Sequence, residues 1–251
     1  MSGYQPQHQY RLQKDSEDLR DHIFTKHGFK TVAHIPASWD LRAQLSPILD
    51  QGQLGCCSGF AISGLREYWT NLDKSPEALS QLYLYYYERA LEGTVDQDSG
   101  AMLRDGMKVL QQRGTCPAVD WPYNIQQFTT KPPLPADTEA APYRIKEYHR
   151  ITDLTMMKTA VASGYPVVIG MDVYDSFESD AVASTGIMPM PNTQTEQCLG
   201  GHAVLVVGYT DAKQWMVVRN SWGATWGDKG YFYLPYSYWT SGHISDAWSG
   251  R

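Results

Sequence analysis

Two cysteines stand side by side in QGQLGCCSGFAI, residues 51–62, where a glycine-rich run gives way to apolar residues at helical spacing. A cysteine is a nucleophile only as its thiolate, and a helix N-terminus or a neighbouring imidazolium lowers the thiol pKa to about 3.5–7.5. Cys57 has the first of these, because it falls in the opening turn of the helix that starts beyond Gly55. The imidazole has to come from far along the chain, and His202 heads the strand-like run HAVLVVGY. The other six histidines, His8, His22, His27, His34, His149 and His243, fall in polar segments that read as surface. A base imidazole must also be held in one orientation; Asn220 in RNSWG offers an amide oxygen for a ring N–H, and Trp222 can shield that bond from water. Such a set performs acyl transfer, in which the attacked carbonyl becomes an oxyanion. The Gln51 side-chain amide and the Cys57 backbone N–H are the natural donors to it, with Gly52 and Gly55 allowing the tight turn and close backbone approach this needs. Taken singly, each residue has a plainer reading: a free cysteine as a small buried hydrophobe, Asn220 as a turn brace, Trp222 and Trp226 as core. Their common order along the chain carries the argument.

The elements that must hold these groups can be read from periodicity. Phe60, Ala61, Leu65, Tyr68 and Trp69 recur at helical spacing from Ser58 to Thr70. Further helices are expected over Ser80–Leu91, around Leu103, Met107 and Leu110 with Gly114 closing the last, and from about Asp153 to Ser163. Strands are expected over Pro166–Val173, His202–Tyr209, Gln214–Trp222 and Gly230–Leu234. Helices first and strands later imply an α+β molecule with a cleft between two lobes. Residues 1–34 form a polar N-terminal extension, in which Lys14–Gly28 could make one short helix; residues 35–130 form the mainly helical lobe, and 131–251 hold the link and the β-rich lobe. The link is expected at Thr129–Pro142, which carries four prolines.

Composition sets the outer limits. At 251 residues, 42% hydrophobic and 19% charged, the chain is of ordinary globular character and long enough for one large domain or two small lobes. A net charge of −6 gives no basic stripe, so neither nucleic acid nor an anionic membrane is an expected partner. No apolar run is long enough to span a bilayer, and the N-terminus lacks the apolar core of a secretory signal. A cytoplasmic location is the default expectation, with a secreted mature form left open. Cys56, Cys57, Cys116 and Cys198 are too few for a disulfide framework and lack paired metal-ligand spacing, so neither metal nor cofactor is expected. Cys116 and Cys198 could pair with each other or with Cys56, or stay reduced.

Together the stretches IPASWDLR, PILDQGQLGCCSGFA, ALSQLYLYYYER, GTCPAVDWPY, GGHAVLVVGY and NSWGATWGDKGYFYL resemble the papain family of cysteine peptidases, in the family's order, over about 200 residues, with the character of its bacterial members. His202 follows Cys57 by 145 residues and Asn220 follows it by 163, near the family's spacing of roughly 130–150. In that family the nucleophile is the sixth residue after the oxyanion-hole glutamine, which from Gln51 selects Cys57 over Cys56. The resemblance implies a papain-like fold with a helical left lobe, a β-barrel-like right lobe, and Cys57 and His202 facing each other across the cleft. It implies an extended peptide or protein substrate, with Met102, Gly170 and Ala203 lining a pocket for an apolar P2 side chain and Gly100 supplying backbone hydrogen bonds. By the same resemblance the extension would act as an intramolecular inhibitor lying in the cleft; its plainer reading is a surface tail. Leu54 stands where the family has a disulfide cysteine, and Ser58 where a tryptophan follows the nucleophile. These departures keep two other readings open: an amidase- or transglutaminase-like use of the same triad, and an inactive member that binds proteins through its cleft.

Overall fold

A sixteen-residue helix, α1 (Cys57–Leu72), runs through the middle of the molecule and is buried along nearly its whole length. The computed structural model describes residues 8–24 and 31–251. Helices α2 (Gln81–Glu92) and α3 (Leu103–Gln112) pack against α1 on one side. Their ends follow local chemistry. The Ser80 side chain accepts the Tyr83 N–H at the start of α2, and Gly93 ends it in the left-handed region at φ 73°.

On its other side α1 packs against a seven-stranded antiparallel sheet. The strands are β1 (Ser38–Asp40), β2 (Tyr148–Arg150), β3 (Val167–Tyr174), β4 (Cys198–Thr210), β5 (Trp215–Arg219), β6 (Tyr231–Pro235) and β7 (Ile244–Gly250). Their order is β2-β7-β3-β4-β5-β6, with β1 added along the far end of β4. The sheet is open, so the barrel-like right lobe of the sequence reading is a sheet that does not close. Pairing β4 to β5 sets Leu205 opposite Arg219, which fixes His202 and Asn220 at the same end of two adjacent strands.

The four expected helices and four expected strands all form. The segment Thr129–Pro142 carries a helix of its own, α4 (Leu134–Ala140), with Ala136 and Ala140 buried. Asp137 accepts the hydroxyls of Tyr83 and Tyr87 at 2.8 and 2.6 Å, so this proline-rich stretch packs on α2. Short helices α6 (Asp180–Thr185) and α7 (Tyr236–Thr240) add to α5 (Leu154–Ala162). Between Lys14 and Phe24 the chain contains no α-helix, and Asp15 and Asp21 are both drawn out to Arg104 and Arg150; residues 25–28, including His27, lie outside the described part. All four cysteines are free, with Cys198 exposed and the others buried.

Candidate active site

Helix α1 begins at Cys57 with no side chain capping it, since Cys56 at the N-cap makes no side-chain hydrogen bond to the first turn. The opening N–H groups of the helix are therefore unspent. The Cys57 sulfur lies among the backbone N–H groups of Ser58, of Cys57 itself and of Ala203, all of which favour its thiolate. Ala203 follows His202 on β4, so the cysteine and the histidine strand meet at this point.

His202 is fully buried. Its Nε2 lies 2.9 Å from Asn220 Oδ1, and the same oxygen accepts the Ser221 backbone N–H at 2.9 Å. An oxygen that accepts from a backbone N–H is an acceptor toward the ring as well, so Nε2 carries the proton. Nδ1 is left with its lone pair and has no hydrogen-bond partner among the described residues. Trp222 lies over the imidazole with ring centroids 5.0 Å apart and 26° between planes, covering the His202–Asn220 bond.

Gln51 is buried and doubly held: its Nε2 donates to Leu54 O at 2.9 Å, and its Oε1 accepts the Ser221 hydroxyl at 2.5 Å. One amide N–H therefore remains for an oxyanion. Ser221 lies inside the NSWG stretch, yet its part in orienting Gln51 is missing from the sequence reading. Cys56 turns the other way, its sulfur 3.0 Å from Tyr123 Oη, and Tyr123 donates to Gln51 O at 2.6 Å. Ser58 donates to the buried Glu88 carboxyl at 2.6 Å, so the hydroxyl at this position has a structural partner. Leu54 is part of the core, and the histidine reading needs amending: His149 is 1% exposed and His8 is stacked on Trp222.

The cleft is filled by the chain's own extension. Leu12 N–H donates to Gly201 O at 3.1 Å, and Gln13 N–H donates to Ala101 O at 3.2 Å. Arg11 pairs in parallel with Gly201, and Gln13 with Met102. Gly170, opposite Ala203 in the β3–β4 register, leaves room for the Leu12 side chain; a Cβ there would come within 2.7 Å of Leu12 Cδ2. Leu103 completes that pocket and was not anticipated. Gly100 differs from expectation. Its N–H donates to Tyr85 Oη at 3.1 Å, so it offers closeness instead of a backbone donor: at φ 70°, a Cβ on it would overlap Arg11 O. Ala101 supplies the bond instead.

Further along, Asp15 accepts the Arg104 backbone N–H at 3.0 Å and Trp248 Nε1 at 2.7 Å, with Arg150 and Asp246 beside it. Asp21 takes both arms of Arg104 at 3.0 and 2.8 Å, and Ile23 bridges to Arg150 on the edge of β2. Burial first, and then the Asp246 carboxylate, push Asp15 up to about 6 from its ordinary 3.8. A raised carboxyl pKa in the docked state favours docking fully below about pH 4, and that gain is lost as the pH rises through about 6. Amides of residues 11–15 should accordingly exchange hydrogen on the order of tenfold more slowly at pH 5 than at pH 7, after correction for intrinsic rates. Equal corrected rates would show that Asp15 does not govern the contact.

A thiol at the start of a central helix, meeting a strand that carries a histidine paired to an asparagine, defines the cysteine peptidase class. The chain belongs to the papain family: the model for papain family cysteine proteases matches residues 35–248. It is 39% identical to an uncharacterized peptidase C1-like protein of Acanthamoeba polyphaga mimivirus, over 94% of this chain and 84% of that one. Cathepsin K of Mus musculus is 30% identical, over 80% of this chain and 60% of the cathepsin. Among solved structures, xylellain, a cysteine protease from Xylella fastidiosa, superposes with a TM-score of 0.87 at 33% identity, covering 100% of this chain and 98% of that one. Procathepsin L 3 of Tenebrio molitor larval midgut shares the fold at a TM-score of 0.74 and 22% identity, over 96% of this chain and 76% of that one. The chain is a papain-like cysteine protease, a hydrolase of peptide bonds.

Proposed function

We propose that Cys57 is the nucleophile of a Cys57–His202–Asn220 triad and that residues 8–24 hold it latent. His202 Nδ1 takes the thiol proton, and the thiolate attacks the peptide carbonyl. The Cys57 N–H and the free Gln51 N–H receive the oxyanion. The imidazolium then gives its proton to the leaving amine, and water hydrolyses the thioester to a free carboxylate. The observation that most supports these roles is the unspent Nδ1 of a buried, oriented His202 on the strand that meets the sulfur.

Latency has a physical cause at the same atoms. Burial pushes the Cys57 thiol up to about 12 and the His202 imidazolium down to about 4 in this closed state. Both groups stay neutral while covered, and the ion pair forms once the extension leaves and water returns. Leu12 in the pocket of Gly170, Ala203 and Leu103, beside Met102, supports an apolar P2 preference in substrates.

Mass analysis of peptide-library products tests the reading. Free carboxylate termini should dominate even with millimolar primary amine present; predominantly amine-capped products would favour the transferase alternative. The inactive reading loses its main motive, since Ser58 is matched to Glu88 and Leu54 is core.

A further inference from the structure

On the flank of His202 away from Gly170, the turn Asp175–Glu178 brings Phe177 under Trp222, ring centroids 5.2 Å apart, and sets Glu178 beside it. The Glu178 side chain is only 3% exposed. A carboxylate so far from water is costly unless it meets a donor or a positive charge. Residues of the extension serve it here. Tyr10 donates its hydroxyl to Glu178 Oε1, and His8 brings Nδ1 to 3.9 Å of the same oxygen. The His8 ring lies flat on Trp222, centroids 3.8 Å apart and 5° between planes. Trp222 also keeps a buried indole N–H with no hydrogen-bond partner among the described residues.

An aromatic face with a buried carboxylate at its edge is the chemistry that receives a flat or cationic nitrogen group. Once the extension leaves, whatever next fills this flank must satisfy the same two groups. We infer that Trp222 and Glu178 form a binding site for a lysine, arginine or protonated histidine side chain of the substrate, on the leaving-amine side of the cleaved bond. The inference rests on the peptidase reading, which seats the acyl-side apolar residue at Gly170. Glu178 then acts as a specificity-determining residue, and His8 occupies its site in the latent protein.

The test uses the full chain and quenched fluorescent peptides that differ only at the first or second residue after the cleaved bond: Lys, Gln or Glu. Because one preparation is used, any closed fraction cancels in the ratio of kcat/KM values. The Lys-to-Glu ratio should be about tenfold or more at one of the two positions and fall toward one in Glu178→Gln. Glu178→Lys should invert it, which separates a charge effect from damage to the fold. A ratio near one in the unaltered protein, or an undiminished ratio in Glu178→Gln, would overturn the inference while leaving the peptidase intact. Failure to cleave any of these peptides, even with Leu12→Glu to loosen the extension, would overturn the peptidase reading and the inference together.

Discussion

Cys57→Ala is expected to abolish peptide hydrolysis, with kcat falling by about 10⁵–10⁶-fold, as when other nucleophile–histidine units lose their nucleophile. Cys56→Ala should keep kcat/KM within about threefold. The two residues differ by one position and by direction. Cys57 opens α1 with its sulfur among the N–H groups of Ser58, Ala203 and its own residue, whereas Cys56 points to Tyr123. Losing the Cys56 contact leaves Tyr123 still donating to Gln51 O, so the cost is that of one weak hydrogen bond and a little buried volume, about 1 kcal/mol of stability. A thiol-directed epoxide with mass readout should label Cys57 in Cys56→Ala and nothing in the first turn of Cys57→Ala. If Cys56→Ala were the dead protein, the assignment of the nucleophile would be wrong.

Leu12→Glu is expected to raise the activity of the full chain by at least tenfold to a hundredfold. Burying a leucine contributes about 2 kcal/mol, and pushing a carboxylate into the pocket of Gly170 and Leu103 costs several more unless the segment leaves. On the proposed latency, removal of the segment would let water reach the Cys57 thiol and the His202 imidazole and relieve the burial that keeps both neutral. The acid limb of the pH–rate profile should then be set by thiolate formation. Equal kcat/KM for the full chain, for Leu12→Glu and for a form beginning near Ile35 would end the inhibitory idea.

The residues proposed for chemistry were legible because each sits in a local pattern: a glycine-rich turn into a helix, or a β-branched run broken by RNSWG. The track of the extension was hidden for the opposite reason. Tyr10, Leu12, Ile23 and Phe24 are isolated apolar residues in a polar stretch, and their partners Gly201, Gly170, Arg150 and Tyr165 are over a hundred residues away. Within the charged segment Lys14–Gly28, read as able to form one short helix, Asp15 and Asp21 serve contacts to α3 and β2 instead. Strand β7, ISDAWSG, has few strand-forming residues and becomes one only because β2 and β3 flank it. Glu178 left no signal at all, being one acid among many until its burial is seen.

Gly100, Gly200 and Gly201 lie so close to the main chain of residues 10–12 that any side chain on them would strike it. A visiting peptide running along the same rail would be struck just as hard, so brake and cargo cannot be tuned apart at those positions. For the latency proposed above, adjustment would have to be made from a distance, at the Arg104 and Arg150 clasps or the Phe24 anchor, where a change would alter how long the extension stays docked and leave the passage untouched.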